Sequence, residues 1–320
     1  CPVVNLTLRY NACSLSNETT IVALLIITTI LWAFSFSLIG EYLAGSVDSY
    51  FSVLMRVGLA ALVFLPFLRT RGQSPRTIVL YMLVGAMQLG IMYLLAFRAY
   101  LYLTVSEFLL FTVFTPLYIT LIYDLLSGRK LRWGYLLSAA LAVLGAAIIR
   151  YDKVSDHFWT GLLLVQLSNL CFAIGMVGYK RLMEVRPMPQ HNAFAWFYVG
   201  AFIVAVAAWF MLGNAQKLPT TTLQWSVLVW LGVVASGLGY FMWNYGATQV
   251  DAGTLGIMNN VHVPAGLLVN LAIWQEQPHW PSFISGALVI LASLWVHRRW
   301  VAPHSGQTAD DRRRGSAQSE

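Results

Sequence analysis

The sequence predicts an all-α integral membrane protein with ten transmembrane helices arranged as two inverted five-helix repeats. Three observations carry this expectation. Of the 320 residues, 58% are apolar and only 10% are charged, against about 25% charged in an ordinary soluble domain. The apolar residues run in long blocks rather than in the half-faced pattern of a soluble helix. The second half of the chain also repeats motifs of the first.

A helix needs about 20 apolar residues to cross the hydrocarbon core. Ten nearly charge-free stretches meet this, at roughly 20–40, 50–68, 77–97, 104–126, 133–149, 158–180, 192–212, 223–243, 252–275 and 280–297. A β-barrel would show strands of about ten residues with alternating polarity instead. Lys and Arg set the orientation. With the N-terminus inside, the cytoplasmic loops collect 15 of the 20 basic residues and the outer loops four, Arg98, Arg150, Lys153 and Lys217. This bias predicts a multi-pass membrane protein with both termini cytoplasmic.

The net charge of +7 sits in short clusters between apolar runs, so it reads as membrane topology rather than nucleic-acid binding. Cys1, Cys13 and Cys171 are too scattered for a disulfide framework. No Walker A, HExxH or GxSxG pattern is present and the His residues are scattered, which argues against an enzyme, a metal site or a resident cofactor. The expected partners are a small-molecule substrate and the lipid bilayer; a homodimer is left open. Residues 1–18 read as a polar cytoplasmic arm, where the glycosylation-like matches at Asn5 and Asn17 are chance. Residues 301–320 read as a disordered cytoplasmic tail.

The internal repeat lies between 19–150 and 151–300. Trp133 and Trp280, Ser138 and Ser285, Ala140 and Ala287, Leu141 and Leu288, and Leu144 and Leu291 coincide at one offset. Pro116 and Pro264 fall in the middle of the fourth and ninth spans, and Leu31–Glu41 parallels Leu170–Lys180. Five spans per copy is an odd number, so the second copy must lie inverted. Inverted repeats belong to secondary transporters with a site near the membrane midplane.

On these residues the chain resembles the EamA type of the drug/metabolite transporter superfamily. The likeness covers about 20–300 and rests on the two five-span halves, Leu31-Trp32-Ala33-Phe34-Ser35, Arg56, Pro116, Gly253, Pro264, Glu276 and the small-residue fifth and tenth spans. The chain departs from the family at the end of span four, with Ser127-Gly128-Arg129 in place of a Gly-Glu pair. Leu31–Gly45 and Arg186–Asn192 further resemble the enterobacterial biotin-uptake branch. The resemblance implies a carrier of small metabolites, with biotin or a related carboxylate-bearing solute the best match. An exporter of amino acids or other metabolites is the alternative, and a channel or membrane-anchored binding protein the alternative of another class.

Polar groups in hydrocarbon are expensive and mark functional candidates. In span nine, Asn259, Asn260 and His262 are candidate substrate-binding residues, and Pro264 withholds a helical partner from the carbonyl of Asn260. Helix–helix hydrogen bonding is the other use of the Asn pair. His262, with an ordinary pKa of about 6.5, is also a candidate proton carrier. In span four, Pro116 frees the carbonyl of Thr112. Glu107 is a proton-coupling candidate or a partner for Arg98 or Arg56. Arg56 in span two could grip a substrate carboxylate through two parallel hydrogen bonds, or pair with Glu41, Asp48 or a freed carbonyl. Trp32, Tyr93 and Trp243 are candidate aromatic walls, with Ser35, Gln88, Asn169, Tyr179, Tyr240 and Asn244 beside them. Ser236 reads with Gly232 as a small-residue row for close helix packing.

Overall fold

The computed structural model describes residues 23–126, 156–250, 258–259 and 265–275, with Ile21 and scattered positions within 137–144 and 280–295. Seven helices in this part are long and apolar enough to cross a membrane: α1 (Ala23–Leu43), α2 (Ser49–Phe67), α3 (Pro75–Ala99), α4 (Val105–Leu126), α5 (His157–Val185), α6 (Gln190–Leu212) and α7 (Thr222–Ala247). A shorter apolar helix, α8, covers Ala265–Trp274. Among the described residues there is no strand. The protein is therefore an all-α, multi-pass membrane protein. Parts of the expected spans at 133–149, 252–275 and 280–297 lie outside the described residues.

Helix starts follow local chemistry. Asp48 caps α2 by accepting from the Phe51 amide at 2.9 Å, and Ser74 caps α3 through the Thr77 amide at 3.2 Å. Reciprocal capping boxes open α4, with Thr104 and Glu107, and α7, with Thr221 and Gln224. Each supplies acceptors to amide groups that have no partner inside the helix. Gly45, at φ +75°, turns the chain between α1 and α2. α5 runs past the expected end near Lys180 to Val185. Lys180 is part of this helix, and its Nζ donates to the carbonyls of Val250 at 2.6 Å and Ala247 at 3.3 Å, just past and at the end of α7. A cation at a helix C-terminus is favourably placed against the helix dipole.

The bundle is apolar outside and mixed inside. Leu62, Leu83, Leu163, Phe210 and Met211 are at least 60% exposed, a surface that hydrocarbon covers at no cost. Thr28, Ser37, Gln88 and Asn244 are fully buried. α6 packs against α2 and α3, and α5 against α3 and α4. The α3–α6 approach depends on glycine from both sides. A Cβ on Gly85 would lie 1.9 Å from the Phe197 carbonyl oxygen, and one on Gly200 would lie 1.9 Å from that of Met82. Neither obstacle is a flexible side chain.

Gly85→Ala is therefore expected to force α3 and α6 apart at a cost of about 2 kcal/mol or more. It should lower the melting temperature of the detergent-purified protein by about 5 °C. Gly58→Ala, whose Cβ would meet only the Phe202 ring edge at 3.2 Å, should stay close to the parent in the same thermal measurement.

Candidate functional site

The site begins with irregularities in two helices. In α7, residues Leu231–Leu238 (Leu-Gly-Val-Val-Ala-Ser-Gly-Leu) form a wide, π-helical stretch. Such turns loosen the regular ladder of backbone hydrogen bonds and are frequent at functional sites. Side chains from other helices take up the loosened carbonyls. Trp32 Nε1 of α1 donates to the Ala235 carbonyl at 3.1 Å. Tyr198 Oη of α6 donates to the carbonyls of Ser236 at 2.6 Å and Gly237 at 3.2 Å.

In α4, a 3-10 turn at Thr112–Phe114 precedes Pro116. The Thr112 carbonyl, which Pro116 cannot serve, accepts from the Thr115 hydroxyl at 2.7 Å. The neighbouring Phe111 carbonyl accepts from Asn169 Nδ2 of α5 at 2.9 Å. The expected backbone opening in span four is present, and protein groups line it.

Between these two helices lies a narrow cavity of about 70 Å³. Its lining comes from α1, α2, α3, α4, α5 and α7, together with Asn259. Trp32, Phe36, Phe97, Phe108, Phe172 and Tyr240 form aromatic walls. Trp32 contacts Tyr240 at 4.8 Å between ring centroids and meets Phe172 edge-on at 6.2 Å.

Among the described residues Arg56 is the only charged one in the lining. It is 3% exposed. Its Nε donates to Ser236 Oγ at 2.6 Å, and Tyr93 Oη shares a hydrogen bond with the same oxygen at 3.0 Å. The guanidinium carbon lies 4.1 Å from the centroid of the Tyr93 ring and 6.0 Å from that of Phe97. These contacts spread and orient the charge, but none neutralises it. Among the described residues no carboxylate forms an ion pair with Arg56. Asp48 is engaged in capping α2 and Glu41 is exposed. A buried cation without an anion is costly. The arrangement suits an anion that arrives and departs.

The structure brings together seven of the predicted residues, Trp32, Ser35, Arg56, Tyr93, Asn169, Tyr240 and Asn259, around one cavity. Trp243 stands behind Trp32, 5.1 Å away by ring centroids, with its indole N–H on the Met176 sulfur; it lines no part of the cavity. Gln88 and Asn244 bond to each other away from the cavity. Glu107 sits at the start of α4 in its capping box, where its carboxylate accepts from the Thr104 amide at 2.9 Å, and it too is absent from the lining. Asn260, His262 and Pro264 lie outside the described residues. Sequence reasoning missed Ser236 as a polar hub and left out Phe97, Tyr100, Phe108 and Phe172. The signal for Ser236 was its place in a glycine-rich run, Gly232 to Gly239.

Known proteins can be set beside this geometry. The sequence profile described as the EamA-like transporter family matches residues 19–151 and, a second time, residues 159–298. The chain belongs to the EamA-like transporter family. It is a membrane transporter and not an enzyme. It is 83% identical over 298 residues to a protein of Escherichia coli K12 named biotin transporter, covering 93% of this chain and all of that one. A Salmonella typhimurium protein of the same name matches to the same extent. A probable biotin transporter of Pseudomonas aeruginosa is 55% identical over 276 residues, 86% of this chain and 96% of the relative. A solved structure described only as a crystal structure of a protein superposes with a TM-score of 0.61 at 17% identity. It covers 88% of this chain and 96% of its own, and it supports the fold alone.

Ser236→Ala would remove the one oxygen that holds both Arg56 and Tyr93. Loss of a hydrogen bond to a charged group should raise the substrate concentration for half-maximal transport by about tenfold. Membrane levels on a blot should stay near normal, because an alanine fits the same small-residue position.

Proposed function

We propose that this chain imports biotin across a bacterial inner membrane by alternating access, with Arg56 holding the pentanoate carboxylate. The observation that carries this reading is the buried Arg56 guanidinium, which faces an aromatic cavity with no carboxylate beside it among the described residues. Biotin offers one carboxylate on an apolar chain and a compact bicyclic ring, which match one guanidinium and an aromatic wall. The names of the relatives that align over nearly the whole chain supply the substrate.

The finer architecture belongs to the same proposal. Ten spans in two inverted halves, 19–150 and 151–300, are supported by the two matches of the family profile and by the odd number of spans in each. Cytoplasmic termini are supported by the bias of 15 to four basic residues. Asn260 and His262 would join the site from the second half, and Pro264 would open the backbone there as Pro116 does in the first. Proton coupling is assigned to Glu107 or His262.

In a host that can neither make nor import biotin, expression of this chain should restore growth at limiting biotin. Proteoliposomes should show saturable uptake and counterflow. Arg56→Gln is expected to reduce biotin uptake about 100-fold at unchanged membrane level, and biotin methyl ester should fail to compete with biotin in the wild type. Wild-type uptake by Arg56→Gln would refute the assignment of the carboxylate.

Glu107→Gln separates charge from structure, because Gln also completes a capping box at this position. If Glu107 carries the proton, this variant should lose accumulation driven by a pH gradient and keep gradient-free counterflow. Accumulation equal to the wild type would leave the role to His262.

A further inference from the structure

Two buried polar atoms of the cavity have no hydrogen-bond partner, Asn259 Nδ2 and Tyr100 Oη. Asn259 is 3% exposed and Tyr100 is 6% exposed. Such orphans are rare, because each forfeits the hydrogen bonds it made to water. Their positions differ. The carbonyl of Met258, next to Asn259, accepts from Thr29 Oγ1 at 3.4 Å, and Thr29 precedes Trp32 by one turn of α1. Tyr100 lies against Gly40, where an added Cβ would be 3.6 Å from Tyr100 Cε1, about two turns beyond Trp32. The orphans thus bracket the aromatic stretch, 11 residues apart along α1, or about 16 Å of helix rise.

Asn259 Nδ2 can only donate. The ligand group that satisfies it must be an acceptor. Among the described residues Arg56 is the single cation in the lining, so a second carboxylate would meet no cation there. A neutral carbonyl oxygen fits. We propose that Asn259 is a specificity-determining residue that donates from Nδ2 to a neutral, urea-type carbonyl of the ligand. This deepens the biotin reading and rests on it. Arg56 then answers the carboxylate, the aromatic rings answer the thiolane and alkyl carbons, and Asn259 answers the urea oxygen. A solute with the acid alone would leave the amide unpaired, which is how a polar site rejects a near-match.

The test uses the full-length protein in proteoliposomes at pH 7, with labelled biotin as the transported probe and unlabelled analogues as competitors. Desthiobiotin keeps the urea carbonyl. 2-Iminobiotin replaces that carbonyl by a cationic guanidine group, which carries N–H where biotin carries the acceptor. The wild type should be inhibited by desthiobiotin and about tenfold less by 2-iminobiotin. Asn259→Asp should reverse the order, because a carboxylate repels the urea oxygen and pairs with the guanidine: biotin uptake should fall at least about tenfold while 2-iminobiotin becomes the better ligand. If Asn259→Asp reaches the membrane and keeps the wild-type ranking, the proposal is overturned. If Asn259→Asp fails to reach the membrane, the wild-type comparison decides, and equal inhibition by the two analogues overturns the proposal. A wild type that takes up biotin but ignores the carbonyl refutes this assignment alone; a wild type that takes up no biotin refutes the substrate reading beneath it.

Discussion

The candidate site depends on a buried guanidinium that has no counter-charge among the described residues. A charge at membrane depth is tolerated only with partners, and Arg56 has neutral ones: the Ser236 hydroxyl at 2.6 Å and the face of the Tyr93 ring at 4.1 Å. A protein carboxylate in the same place would form a tight, permanent pair, and a substrate acid would have to displace it. Neutral partners position the cation and leave its electrostatic demand open. That is a sensible design for a carrier, whose ligand must bind well enough to enter and loosely enough to leave.

The same requirement accounts for the two irregular helices. Irregular turns leave carbonyls without a partner inside the helix, and side chains can take them up. The wide turn of α7 supplies the carbonyls of Ala235, Ser236 and Gly237, and the break before Pro116 in α4 supplies those of Phe111 and Thr112. Each is met by a side chain, from α1 and α6 for the α7 carbonyls, from α5 for Phe111 and from Thr115 within α4 for Thr112. Except for the Thr115–Thr112 bond, these hydrogen bonds tie one helix to another. Elsewhere α3 and α6 form a close seam at Gly85 and Gly200.

Much of the fold was legible because hydrocarbon imposes a length on every span. The expected segments at 50–68 and 104–126 became Ser49–Phe67 and Val105–Leu126, and capping residues set the exact starts. Helix ends beyond the apolar run were less legible: α5 continues through Lys180 because that side chain finds the carbonyls at the end of α7, a tertiary partner invisible in the local pattern. The site was legible where one residue breaks the solvent rule, as Arg56 and Asn259 do. It was not legible where the decision rests on helix rotation. Trp32 and Trp243 look alike in sequence, yet one lines the cavity and the other packs behind it. Ser236 looked like a packing residue because smallness serves both purposes; its partners sit 180 and 143 residues away.

The most direct measurement is an experimental structure of the full-length protein with biotin bound in a lipid nanodisc. The biotin carboxylate is expected within hydrogen-bond distance of the Arg56 guanidinium, with the ring system between Trp32 and Tyr240 and no protein carboxylate on Arg56. Biotin bound elsewhere, or Arg56 paired with an Asp or Glu of the protein while biotin is present, would contradict it.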